Sequence, residues 1–279
     1  MGYEPQLVNN LKQKARQLRK NVVYSMGVGN AGHLGGSFSA AELVSALYFH
    51  KMKHDPQNPK MPERDRFLLS KGHVAILQYS ALAEAGYFAK EELANTKAIG
   101  SMLQGHPDIQ KTPGIEAGTG SLGQGLSIGL GMALGLKLDG LGSKVYVLCG
   151  DGELAEGQIW EAAMAASAFG ADNIVAIIDK NGKQAQGTVA ERFNSGAITP
   201  KWEAFGWNVI EIDGHNIEEI LGALDKADTL KGRPTAIVAS TVKGKGVAIG
   251  EGHPSGFHNA PLNETEFGQV MAELERQVV

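Results

Sequence analysis

Gly150-Asp151-Gly152-Glu153 closes the apolar run Lys144-Val145-Tyr146-Val147-Leu148-Cys149, and Asp179-Lys180-Asn181 closes a second run, Asn173-Ile174-Val175-Ala176-Ile177-Ile178, about thirty residues later. Both runs are rich in β-branched residues and end abruptly at polar or glycine positions, which predicts two buried strands. Residues 156–170 between them have helical spacing. The unit therefore reads strand, Gly-Asp-Gly turn, helix, strand, Asp-x-Asn. If the two strands are parallel neighbours, Asp151 and Asn181 meet at the carboxyl edge of the sheet, where α/β folds bind ligands.

A carboxylate and an amide oxygen are hard ligands, suited to Mg²⁺ or Ca²⁺ rather than to a soft metal. Mg²⁺ is commonly held by one or two such groups together with substrate phosphates. Gly152 lets the backbone come close to those phosphates and is expected to aim its amide N–H at them. The competing reading is a plain turn followed by an unrelated asparagine loop. The strand context favours a diphosphate–metal clamp.

The same alternation extends along the chain. Helices are expected at 6–28, Ala40–His50, Ala75–Ala85, Gly123–Leu138 and Ile217–Ala227, and a further one closes at Trp202–Phe205. Strands are expected at Phe67–Leu69, Trp207–Ile212 and Thr235–Ser240. Gly29–Ser37 reads as a polar turn, Asp55–Asp65 as a surface loop, and Ile99–Ala117 as irregular. Strands alternating with helices predict an α/β fold with a doubly wound parallel sheet flanked by helices. No internal repeat, low-complexity stretch or domain boundary interrupts residues 1–279, so a single domain is expected.

The composition excludes several classes. With 43% apolar residues in 279, a large core can form. The net charge of −4 is evenly interspersed, so no basic face suits nucleic acid or an anionic membrane. No apolar stretch approaches the roughly 20 residues of a membrane span. The N-terminal residues Lys12, Lys14, Arg16, Arg19 and Lys20 belong to an amphipathic helix, not a signal peptide. Cys149 is the single cysteine, in an apolar strand. That excludes an intrachain disulfide and suits a reducing, cytoplasmic setting.

Gly118-Thr119-Gly120-Ser121-Leu122-Gly123 satisfies the dinucleotide fingerprint, but no strand precedes it, so the strand–turn–helix context is missing. Its glycines suit close approach to a flat ring, or tight packing of the following helix. Four histidines, His33, His73, His106 and His258, lie in polar, glycine-rich loops. A lone loop histidine is usually solvated; four together are candidates for donation to phosphate or for proton shuttling. Their spacing is not that of a zinc site.

These motifs resemble those of the thiamine-diphosphate-dependent transketolase family, in that family's order. They are Ala31-Gly32-His33-Leu34-Gly35, Leu69-Ser70-Lys71-Gly72-His73, Gly105-His106-Pro107, Thr119-Gly120-Ser121-Leu122-Gly123-Gln124-Gly125, Gly150-Asp151-Gly152-Glu153 and Lys243-Gly244-Lys245-Gly246. His258 with Ala260-Pro261-Leu262 completes the series. The resemblance implies the diphosphate-binding (PP-type) domain, with Mg²⁺, or Ca²⁺ in its place, held by Asp151, Asn181 and the carbonyl of Lys183. It implies that Gly152, Glu153, His73 and His258 border the diphosphate, with Lys71, Lys243 and Asn181 beside them, and that Gly120, Ser121 and Leu122 lie against the cofactor. His33, His106 and His258 would line the substrate channel as catalytic residues. Glu156 would link two cofactor sites across an interface between subunits; as an acidic residue in a first helical turn, it also simply complements the helix dipole.

The chain departs from the family pattern at Lys180, where relatives carry an uncharged residue, and at Lys183-Gln184-Ala185-Gln186, which borders the ligand path. The family's pyrimidine-binding and C-terminal domains have no counterpart here. The polar stretch Glu264–Gln277 reads as a natural terminus. The resemblance thus implies the N-terminal subunit of a split transketolase, working in a two-plus-two heterotetramer with a C-terminal subunit. The expected reaction is transfer of a two-carbon ketol unit between sugar phosphates. The essential glutamate would sit on the partner, so the lone chain is not expected to turn over. Alternatives are a 1-deoxyxylulose-phosphate synthase, a 2-oxoacid dehydrogenase subunit, or a non-catalytic thiamine diphosphate-binding protein. Ser70-Lys71-Gly72-His73 and Gly105-His106-Pro107 favour transketolase over the first two, and the intact Asp151, Asn181 and histidines oppose the third.

Overall fold

Strict alternation in two adjacent runs builds the centre of the molecule. Val145, Val147 and Cys149 bury on one side of a strand and Tyr146 and Leu148 on the other; Ile174, Ala176 and Ile178 oppose Val175 and Ile177 in the same way. A strand apolar on both sides must be covered by helices on both faces. The computed structural model describes residues 2–194 and 196–277. Its strands are β1 (Arg66–Leu69), β2 (Val145–Gly150), β3 (Ile174–Lys180), a small hairpin β4 (Lys183–Gln184) and β5 (Gly187–Thr188), β6 (Asn208–Asp213) and β7 (Thr235–Ser240). The main sheet has the order β1-β2-β3-β7-β6, with every pair parallel.

The helices are α1 (Pro5–Met26), α2 (Leu34–Ser39), α3 (Ala41–Ala46), α4 (Ala75–Ala85), α5 (Gln124–Leu138), α6 (Gly157–Ala168), α7 (Val189–Phe193), α8 (Ile198–Ala204), α9 (Ile217–Thr229), α10 (Ala248–Glu251) and α11 (Glu264–Arg276). One core gathers α1, α3, α4, α9 and α11 on one sheet face; the other gathers α5, α6 and α8 on the opposite face. The sheet is therefore doubly wound, as expected. Pairing of Gly150 with Asp179 and of Lys180 with Ser240 brings the carboxyl ends of β2, β3 and β7 level. No helix among the described residues is long and apolar enough to cross a membrane.

Two stretches differ from the sequence reading. The expected polar turn Gly29–Ser37 becomes helical from Leu34, because α2 is wholly buried and its packing overrides the poor helix propensity of two glycines and two serines. A Cβ on Gly35 would lie 1.7 Å from the Gly256 carbonyl, so only glycine admits this approach. The expected helix Ala40–His50 is α3 followed by a π-type turn, Leu47–Lys51.

Candidate active site

Five loops meet at the carboxyl edge of the sheet. The turn Ser70–His73 follows β1, Asp151-Gly152 follows β2, Asn181–Ala185 follows β3, and Lys243 lies beyond β7. The loop 118–123 is fastened to the end of β1 by the Thr119 hydroxyl, which donates to the Leu69 carbonyl at 2.7 Å. Together with His33, Gly36 and His258 these loops enclose a cavity of about 330 Å³.

Asp179 organises its floor. It is fully buried, and one oxygen accepts from Ser39 Oγ at 2.6 Å, Lys71 Nζ at 2.5 Å and Asn181 Nδ2 at 3.0 Å, while the other accepts from Thr241 Oγ1. Burial alone would raise this carboxyl; the Lys71 ammonium and the hydrogen bonds outweigh it and hold the group below its ordinary range. Lys71 also donates to the Gly36 carbonyl at 2.9 Å, so α2, β1 and β3 are tied at one point.

Asp151 lies beside this pair without a cation of its own among the described residues. Its oxygens accept from the Gly152 amide at 2.9 Å and the Gly182 amide at 2.6 Å. Burial, then the nearby charge of Asp179, push its carboxyl up to about 6. Three carboxylates, Asp151, Glu153 and Asp179, against the Lys71, Lys183 and Lys243 ammoniums leave no surplus positive charge with which to hold a diphosphate. A divalent cation beside Asp151 would supply it, and the oxygens of Asp151, Asn181 and Lys183 suit one. The donor set fits a hard metal, although it contains no cluster of three His, Cys, Asp or Glu side chains among the described residues.

Three of the four histidines converge. The rings of His33 and His73 lie 4.9 Å apart, His33 and His258 5.1 Å, and His73 and His258 5.3 Å. Burial first, then the neighbouring rings and lysines, lowers His33 to about 3, His73 to about 2 and His258 to about 4, so all three are neutral at neutral pH. Lys243, lowered to about 8 by burial and by Lys71, donates to His258 Nδ1 at 3.1 Å. That contact leaves the His258 proton on Nε2. Lys243 also reaches the carbonyls of Lys183 at 3.2 Å and Gln184 at 3.3 Å.

The cavity lining includes His33, His73, His258, Lys71, Lys243, Gly120, Leu122, Asp151, Gly152, Glu153, Asn181 and Lys183, all singled out from sequence. His106, Ser121 and Glu156 are exposed and lie outside it. The His106 ring instead packs on Gly120, where a Cβ would come within 2.9 Å of it, and Glu156 packs against Gly123 in the same manner. Two roles change. The Gly152 amide, expected to face a phosphate, is donated to its neighbour Asp151; Gly152 serves by lacking a Cβ, which would come within 2.9 Å of Gln184. The Glu153 carboxylate, expected at the diphosphate, accepts from Ser70 Oγ, the Gly123 amide at 2.8 Å and the Gly150 amide at 2.9 Å, and so ties α5 to β2. Asp179 lies within the Asp-x-Asn motif, and its organising role has one signal in the sequence, a carboxylate terminating a fully apolar strand. The Gly118–Gly123 fingerprint has no strand before it, and α5 begins after Gly123 in a left-handed conformation (φ 84°).

Comparison with known proteins shows the family of the chain. Residues 10–276 match the family model described as transketolase, thiamine diphosphate binding domain. The chain is 44% identical over 268 residues to the 6-deoxy-6-sulfo-D-fructose transketolase subunit SqwG of Clostridium sp. (strain MSTE9), covering 96% of this chain and 97% of that one. It is 40% identical to an apulose-4-phosphate transketolase subunit of Phocaeicola vulgatus, covering 97% and 96%. Human transketolase is 40% identical over 99% of this chain, which spans 44% of the human protein. Pichia stipitis transketolase in complex with sedoheptulose-7-phosphate superposes with a TM-score of 0.90 at 31% identity, over 95% of this chain and 40% of that one. The chain belongs to the transketolase family, of which it carries the thiamine diphosphate-binding domain.

Proposed function

We propose that this chain is the diphosphate-binding subunit of a two-chain transketolase, transferring a two-carbon ketol unit from a ketose to an aldose once a partner supplies the pyrimidine-binding half. The observation that carries the reading is length set against geometry. The chain is coextensive with relatives that are themselves named as subunits, yet spans less than half of human transketolase. Beside its cavity His106, Ser121 and Glu156 are exposed, a surface open to a partner.

In this reading Asp151, Asn181 and the Lys183 carbonyl would hold Mg²⁺, with Ca²⁺ as a substitute, and a metal held there would supply the positive charge needed to bind a diphosphate, with His73 beside it. When bound, thiamine diphosphate supplies the carbanion chemistry of ketol transfer. The protein positions and protonates. His33 and His258 are neutral imidazoles, each able to donate one hydrogen bond to a sugar oxygen without adding charge. Lys243 keeps His258 in its Nε2-protonated form. Leu122 and Gly120 offer an apolar seat for a flat ring. We assign the donor to the ketoses bearing a terminal phosphate or sulfonate, the groups named in the two relatives that are subunits. A two-plus-two assembly would give each site both halves.

The test is ketol transfer from xylulose 5-phosphate, and from a 6-sulfonated ketose, with thiamine diphosphate and Mg²⁺, for the chain alone and mixed with its candidate partner. Transfer confined to the mixture is expected. Transfer by the chain alone would overturn the two-chain reading.

A further inference from the structure

The segment following β7 is tethered at three consecutive residues. Thr241 Oγ1 donates to Asp179, and Lys243 donates to the Lys183 and Gln184 carbonyls and to His258. Between them, the Val242 amide donates to Nε2 of His215 at 2.9 Å. His215 sits in the turn between β6 and α9. Gly214 brings that turn in close: its amide donates to the Ser240 carbonyl at 2.8 Å, and a Cβ there would lie 2.4 Å from Thr241 Cγ2.

An amide N–H can only donate, so Nε2 of His215 must present its lone pair and the ring proton must sit on Nδ1. Nδ1 faces Glu42 Oε2 at 3.0 Å. Glu42 is itself buried and gripped by both terminal nitrogens of Arg19, at 2.6 and 2.7 Å, while Arg19 also donates to the Phe38 carbonyl at 2.8 Å. A hydrogen-bonded line therefore runs from the α1–α3 core, through one imidazole, to the residue next to Lys243. A loop histidine with solvent on both sides would fix nothing; this one is fixed at both nitrogens.

We propose that His215 is a positioning residue for the cofactor site: held as the Nδ1-protonated tautomer by Glu42, it clamps the Val242 amide and so keeps Lys243 over the cavity. It touches neither cofactor nor substrate. The functional part rests on the cofactor reading above, whereas the clamp itself does not.

The test uses the full chain. Long-range ¹H–¹⁵N correlation spectra should show His215 protonated at Nδ1 and bare at Nε2; the opposite tautomer would overturn the proposal. His215→Gln keeps an acceptor near the Nε2 position but loses the donor toward Glu42. His215→Asn keeps that donor and loses the acceptor. Amide exchange at Val242 should accelerate in His215→Asn and stay slow in His215→Gln. Affinity for thiamine diphosphate with Mg²⁺, measured with the partner present, should fall roughly tenfold in the first and be largely kept in the second, the size expected for one lost hydrogen bond. Equal loss in both variants, or affinity that simply follows melting temperature, would reduce His215 to a structural residue and overturn the assignment. If wild type binds no thiamine diphosphate, the cofactor reading fails, and the tautomer and the Val242 exchange still decide the clamp.

Discussion

At the scale of single residues, the site is a problem of buried charge. Asp179 is tolerated because Lys71, Ser39, Asn181 and Thr241 surround it. Replacing Lys71 by Met would leave that carboxylate without a cation, at an expected cost of about 3–5 kcal/mol in urea unfolding. Adding Asp179→Asn in the same chain should recover part of the loss. Asp151 has the opposite character. Its folded-state value of about 6 lies above the usual aspartate range, so in the metal-free chain its charged form is a liability that appears as pH rises. Asp151→Asn should therefore leave the metal-free melting temperature at pH 8 equal to or above wild type, with the gap closing toward pH 4. The same variant should weaken Mg²⁺-supported cofactor binding at least tenfold. A metal-free loss of stability at pH 8 would contradict the uncompensated carboxylate.

At the scale of elements, glycines set how closely the pieces seat. A Cβ on Gly125, at the start of α5, would lie within 2.5–2.7 Å of Ser70 Oγ, Cβ and Cα. Backbone cannot step aside as a flexible side chain can, so Gly125→Ala should push α5 from β1 and cost about 1–3 kcal/mol by chemical denaturation. Gly131→Ala, in the same helix with open space at its Cβ, should be neutral or slightly stabilising. The pair separates steric fit from helix propensity. If both variants behave alike, the close approach of α5 and β1 is not what the glycine provides.

At the scale of the whole molecule, acid sensitivity should follow from groups that lie in different layers. His33, His73 and His258 have folded values near 3, 2 and 4, below the unfolded histidine value of about 6.5, so unfolding takes up protons between those limits. Glu42 is held at about 2: burial would raise it, and the Arg19 guanidinium and His215 outweigh burial. Its contribution is present above the ordinary glutamate range and is lost as pH falls toward 2. Both effects have the same sign. The metal-free urea midpoint should fall on acidification from pH 7, first as the unfolded imidazoles charge and then as the unfolded carboxylates protonate. His258→Asn should flatten the upper part of that profile. A midpoint unchanged between pH 7 and 4.5 would refute the neutral histidine cluster.

The sequence alone determined the five strands of the main sheet, the side of it at which Asp151 and Asn181 meet, and the family, but not the β4–β5 hairpin. Those features are written locally, in continuous apolar runs rich in β-branched residues, in abrupt ends at Gly150 and Asp179, and in ordered motifs such as Ser70-Lys71-Gly72-His73. The tertiary structure decided what no local pattern encodes. Leu34–Ser39 is helical because it is wholly buried, with Gly35 packed against Gly256 and Gly36 against Val74, both far along the chain. The Glu153 carboxylate joins α5 to β2 because donors from three separate segments reach it. Asp179 and His215 acquire roles only where Lys71, Ser39, Thr241, Glu42 and Val242 arrive from distant positions. Periodicity reports which face of an element is buried; the partner of a buried charge is set by which elements the fold brings beside it.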